Sequence, residues 1–144
     1  MKLSRTAGYA LAATLQLAEA DPSVPIPCSR LAAQGRMPER FLLQILRSLV
    51  THGILHSTRG VEGGYTLQRP AEDISLLDVI EAVDGPMKSA PPAVEGLSPK
   101  LLDQLATALE DVTESSRQQL ADIKVSSLLR AAGKQNRSTA AAAN

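Results

Sequence analysis

The segment from Pro38 to His52 constrains the fold more than any other part of the chain. At about 100° per residue, Phe41, Leu42, Ile45, Leu46 and Leu49 fall on one arc of a helix. Arg40, Leu43, Gln44 and Arg47 fall on the opposite arc. The first arc has to be buried. The second carries two arginines, a glutamine and one leucine that burial does not explain. Pro38 can open the helix, because its missing N–H costs nothing in a first turn, and Gly53 can stop it. A shorter helix, Cys28 to Gln34, precedes it, and Gly35 is expected to supply the positive φ of the turn between them. Two helices joined by a tight turn, the second showing a basic outer face, make a helix-turn-helix.

The surroundings support this reading. Leu3, Ala7, Leu11, Leu15 and Ala18 recur at helical spacing, with Ser4 as N-cap and the proline-rich run from Asp21 to Pro27 as the end. After the reading helix, Leu55–Arg59 and Tyr65–Leu67 flank the glycine-rich turn Gly60-Val61-Glu62-Gly63-Gly64. Two short strands about such a turn form a hairpin, here a wing that must lean on the helices to be stable. Ser75 and Asp78 form a capping box for a fourth helix, which Gly85-Pro86 closes. Residues 88–97 include Pro91-Pro92 and lack periodicity, as expected of a linker. Ser98-Pro99 then opens a helix running to about Ile123, roughly 39 Å long. It carries an apolar seam at Leu102, Leu105, Leu109 and Val112. A helix of that length has too little domain to bury itself against, so the seam is expected to pair two copies of the chain. A short docking helix with Val125, Leu128 and Leu129 follows, and residues 134–144 are expected to be a disordered tail. The fold class expected is mainly α: a winged helix-turn-helix domain over 1–87, a linker over 88–97, and dimerisation and docking helices over 98–133.

Charge sharpens the functional reading. The formal net charge is zero, yet residues 1–71 hold eight Lys or Arg against four acids, and residues 23–61 hold five arginines against Glu39 alone. A cationic face on a neutral protein suits a polyanion met from one side. No apolar run approaches the length of a membrane span. The start, Met1 to Arg5, shows neither an h-region nor a lipidation signal, so a cytoplasmic protein is expected. No nucleotide-binding glycine loop and no nucleophile–base–acid set stands in a suitable context, which leaves the enzyme class without support. One cysteine excludes an internal disulfide and a cysteine-rich metal site.

Several strings, in their order and spacing, resemble a known family. They are Met1-Lys2-Leu3-Ser4 with Gly8-Tyr9-Ala10, Ser57-Thr58-Arg59-Gly60 with Gly63-Gly64-Tyr65, and Leu77-Asp78-Val79-Ile80 running to Gly85-Pro86. The pattern is similar to the bacterial Rrf-type (IscR/NsrR-like) winged-helix transcription regulators, over 1–87 closely and 98–131 loosely. The resemblance implies a homodimer on double-stranded DNA, with helix 38–52 in the major groove and Arg59 of the wing in the adjacent minor groove. It also implies that Gly63 and Gly64 let the backbone approach phosphates. The departures are informative. Cluster-binding members carry three cysteines between the fourth helix and the dimer helix, whereas Lys88 to Pro99 has none. No iron–sulfur cofactor is therefore expected. Leu43 stands where many members have an acid, and Glu62 where a wing glycine is common. These two residues leave open a competing reading, a winged-helix module for a protein or small-molecule effector that has lost DNA reading.

The candidate contacts are accordingly Arg40, Leu43, Gln44 and Arg47 on the reading helix and Arg59, Gly63 and Gly64 on the wing. Lys2 and Arg5 at the start of the first helix are candidates for phosphate. Gln44 suits adenine and either arginine suits guanine, while Leu43 can touch only a thymine methyl. Cys28 has two readings: a small packed residue, or a redox switch whose thiolate is favoured by a helix start and by Arg30. His52 and His56 lie on opposite sides of Gly53, with no further ligand close in sequence, so no metal pair is expected. The effector, if a small molecule, is unspecified.

Overall fold

The computed structural model describes residues 1–91, 93 and 95–142. Residues 92 and 94 of the expected linker, and 143–144 of the expected tail, lie outside the described residues. The chain forms α1 (Arg5–Glu19), α2 (Cys28–Gly35), α3 (Glu39–Thr51), β1 (Leu55–Thr58), β2 (Gly64–Leu67), a 3₁₀ turn (Ala71–Asp73), α4 (Leu76–Asp84), α5 (Pro99–Asp122) and α6 (Val125–Ala142).

The caps read from the sequence are present. The Ser4 hydroxyl accepts the Ala7 N–H at 2.9 Å, and Ser98 accepts from Leu101 ahead of Pro99 at the first helical position. At α4 the box is reciprocal: Ser75 Oγ accepts the Asp78 N–H, and Asp78 Oδ2 accepts the Ser75 N–H, both at 3.0 Å. Each cap satisfies N–H groups that a helix start leaves unpaired.

The core lies where α1, α3 and α4 meet, with α2, the hairpin and the start of α6 closing its sides. Leu42, Ile45, Leu46 and Leu49 of α3 are buried, each contributing about 1.5–3 kcal/mol by leaving water. The inner stripe of α1 differs from the one expected. Ala7, Ala10, Ala13, Thr14 and Leu17 are buried, Leu11, Leu15 and Ala18 are half-buried, and Leu3 is exposed. Alanine carries too little hydrophobicity to mark a core face in sequence, yet its small side chain lets α1 pack closely among several neighbours. Phe41 is also corrected. It lies at the rim, 38% exposed, its ring edge-on to Tyr9 with centroids 5.7 Å apart.

The wing is antiparallel, with Leu55 opposite Leu67 and Thr58 opposite Gly64. Its link to a third segment has no signal in the sequence. Ile26, between two prolines, exchanges two backbone hydrogen bonds with Tyr65, at 3.0 and 2.9 Å, and so fastens the wing to the segment entering α2. A second short bridge joins Ser75 to Lys124, with Leu76 N–H donating to Ile123 and Val125 N–H to Ile74. This bridge seats the α5–α6 junction against the start of α4. α5 is further held to α4 by Arg117, whose Nη2 lies 2.7 Å from Glu81 Oε1.

The C-terminal helix is not short. α6 continues to Ala142, through the segment expected to be disordered from residue 134. The run is rich in alanine, the strongest helix former.

Candidate nucleic-acid interface

The turn between α2 and α3 sets the angle of the reading helix, and its chemistry differs from the expectation. The left-handed residue is Arg36 (φ 50°, ψ 47°), not Gly35. A Cβ at Gly35 would press on the terminal methyl of Met37. Met37 is buried beneath the turn, and its N–H donates to Ala32 at 2.9 Å. A plug of this size under the turn fixes the two helices relative to one another.

From α3 the side chains of Arg40, Gln44 and Arg47 project into solvent, opposite the buried leucines. Leu43 is half-buried rather than free, which partly accounts for an apolar residue on that arc. Neither α2 nor α3 has a side-chain cap, since prolines 27 and 38 hold the cap positions. Uncapped first-turn N–H groups together with the helix dipole suit an anion such as phosphate. Arg30 and Arg36, which motif reasoning did not single out, are exposed on the same helix-turn-helix. The count of five arginines over 23–61 was the signal that contained them.

The wing tip carries Arg59, exposed, beside Val61, which is fully exposed, and Glu62. Gly63 and Gly64 were expected to favour the approach of DNA. The structure shows an internal reason for both. A Cβ on Gly63 would press on the carbonyls of Thr58 and Gly60 across the tight turn. A Cβ on Gly64 would collide with the backbone of Ile26 and Pro27. Lys2 and Arg5 are exposed at the start of α1, where Ser4 Oγ also donates to Asp84 Oδ2 at 2.7 Å and so ties that start to the end of α4.

Cys28 sits at the junction of these parts, half-buried, its thiol 3.7 Å from the Glu39 carbonyl oxygen. Burial, followed by the neighbouring Glu39 charge, pushes the thiol up from its ordinary value. The structure therefore opposes the thiolate activation expected from the helix start and Arg30. The Tyr65 hydroxyl is also pushed up, by burial first and by Cys28 next, with Arg47 acting the other way. Those couplings bring β2 of the wing and the outer face of α3 into one neighbourhood. The two histidines are exposed, His52 Nδ1 lying 2.8 Å from the Ser48 carbonyl, and no group of metal-binding side chains occurs among the described residues.

The seam of α5 is uncovered within one chain. Leu102, Leu105 and Leu109 are half-buried, Val112 is 64% exposed and Leu101 is 53% exposed; Leu120 is the one residue of α5 that is buried. No described helix is long and apolar enough to cross a membrane.

The family model named Rrf2, described as an iron-dependent transcriptional regulator, matches residues 3–131. A Mycobacterium tuberculosis chain, Rv1287, assigned to the HTH-type transcriptional regulators, is 39% identical over 117 residues, covering 81% of this chain and 71% of its own. The HTH-type transcriptional regulator CymR of Bacillus subtilis is 27% identical over 119 residues, 78% of this chain and 86% of its own. Among solved structures, IscR of T. potens superposes with a TM-score of 0.72 at 26% identity, covering 92% of this chain and 88% of that one. The B. subtilis CymR structure superposes at 0.71 with 23% identity, covering 89% and 95%.

Proposed function

The chain belongs to the Rrf2 family of DNA-binding transcription regulators, and on that premise we propose that it acts as a homodimeric repressor, covering a promoter by reading two half-sites of an imperfect palindrome. The observation that carries the reading is the division of α3: four buried apolar side chains hold the helix, while Arg40, Gln44 and Arg47 stand free in solvent with the wing arginine, Arg59, beyond them. In this reading α3 enters the major groove. Gln44 addresses adenine, an arginine addresses guanine, and Leu43 packs on a thymine methyl, each polar pair discriminating by about 1–3 kcal/mol. Arg59 enters the minor groove, and Lys2, Arg5 and the free first-turn N–H groups of α2 and α3 take phosphates. Two copies join through Leu102, Leu105, Leu109 and Val112 of α5. The protein acts in the cytoplasm and catalyses no reaction.

The family description includes iron, and the donor set of this chain does not fit a thiolate-ligated centre. Lys88 to Pro99 has no cysteine. The sole thiol, Cys28, packs between α2 and the start of α3. No step of the proposed function passes through iron.

The test starts with selection of genomic fragments by the purified protein, followed by titration of the recovered operator with wild type and Arg59→Ala. Arg59 is exposed and hydrogen-bonded to nothing among the described residues, so the variant should fold and dimerise as wild type does. Weaker binding, with a salt slope reduced by about 1, is the expected result. Unchanged affinity would refute the wing contact.

A further inference from the structure

A cavity of about 420 Å³ opens between the end of α1, the loop that follows it, and β2. Neither the reading helix nor the dimer seam lines it. Its floor is apolar: Leu17 and Ala18 from α1, Val24 from the loop, Leu67 from β2 and Pro70 beyond it. A mostly apolar cleft of this size, with a few polar groups at its edge, is the usual form of a small-molecule site.

Two charged groups line its edge, Asp21 and Arg69, and of these only Arg69 has an oppositely charged partner among the described residues. Asp21 lines the mouth, and its Oδ1 accepts from the N–H and the hydroxyl of Ser23, at 2.8 and 2.6 Å, which holds the carboxyl below its ordinary range and so ionised. Oδ2 has no partner among the described residues. Behind it α1 ends with no basic residue in its last turn, and the carbonyls of Ala18, Glu19 and Ala20 receive no hydrogen bond among the described residues. Pro22 can donate none. The negative end of a helix dipole thus adds to the carboxylate. Arg69, the other charged group in the lining, is offset by Asp78: Nη1 donates to the Asp73 carbonyl at 3.2 Å and Nη2 to Asp78 Oδ2 at 3.4 Å, while its buried Nε has no partner among the described residues.

From the cavity and this rim we infer that the protein binds a small cationic amphiphile there, with its ammonium group on Asp21 and the α1 carbonyls and its apolar body against Leu17, Val24 and Leu67. The far wall of the cavity is the strand that carries Tyr65, and the loop leads directly into Ile26. A bound molecule therefore touches Tyr65, one partner of the bridge that fastens the wing, and the loop that leads to the other.

The inference does not depend on the proposed operator binding, and its test uses no DNA. The full-length protein, ¹⁵N-labelled, is titrated with butylamine, hexylamine and octylamine, and with hexanoate as the anionic counterpart. Saturable shifts centred on residues 17–24 and 65–71, growing with chain length and weak for hexanoate, are expected. Asp21→Asn keeps an Oδ1 acceptor for Ser23 while removing the charge, and should weaken octylamine about tenfold. Val24→Lys, at a half-exposed position (52%), places a cation on the rim and should abolish amine binding even if the first variant misfolds. Shifts scattered over the surface, equal binding of hexanoate, or octylamine affinity unchanged in a folded variant would each overturn the assignment.

Discussion

Replacing Gly64 by alanine tests how the wing is fixed to the body. The new methyl would meet the backbone of Ile26 and Pro27, which cannot swing aside as a long side chain could. Either β2 or the 25–27 segment must retreat, and the two hydrogen bonds between Ile26 and Tyr65 are the first to lengthen. Losing both costs about 1–3 kcal/mol, and at about 2–4 °C per kcal/mol the melting temperature should drop by roughly 2–12 °C. Gly8→Ala is the matched control. Gly8 lies within α1, is exposed, and has open space where a Cβ would stand. Alanine there should stabilise the helix by about 0.5–1 kcal/mol. Thermal unfolding followed by circular dichroism gives the sign of both changes, and operator titration shows whether the displaced wing loses contact. If Gly64→Ala melted as wild type does, the close approach of Ile26 to the hairpin would be wrong, and with it the account of why glycine is needed.

Three further outcomes follow. Leu105→Glu puts a charge into the apolar seam of α5 and should turn a dimer into a monomer at micromolar concentration in sedimentation velocity, while the circular dichroism spectrum stays helical; a dimer that persisted would place the interface elsewhere. Glu62→Gly removes a carboxylate beside Arg59 at the wing tip and should tighten operator binding in low salt, an effect that screening erases as salt rises; no change would put the tip away from phosphate. Because burial and Glu39 raise the Cys28 thiol, its alkylation by iodoacetamide at neutral pH should be slower than that of a free cysteine and should climb only above the usual thiol range. Peroxide should accordingly affect DNA binding of wild type and Cys28→Ser equally, and loosening confined to wild type would make the residue a redox switch.

Much of the candidate interface's framework was legible because it rests on local rules. The period of 3.6 separates Leu42, Ile45, Leu46 and Leu49 from Arg40, Gln44 and Arg47 whatever the rest of the chain does, and the caps at Ser4, Ser75 and Ser98 satisfy N–H groups within three residues of themselves. The hairpin is equally local. Contacts distant in sequence were not legible. Nothing around Ile26, set between two prolines, announces that it will pair with Tyr65, and nothing near Glu81 announces Arg117. Glycine is the usual occupant of a left-handed turn position, yet Arg36 takes it here rather than Gly35.

By itself, then, the sequence determined which helices and strands form up to the start of α6, which arc of α3 faces water and how charge divides along the chain, since each depends on neighbours within a few residues. Only the tertiary structure decided how the wing is held, why Gly64 lacks a side chain, that α1 buries alanines, and that Cys28 is held as a thiol. Those properties arise from steric exclusion and desolvation between segments far apart in sequence, which take definite values only once the chain has closed on itself.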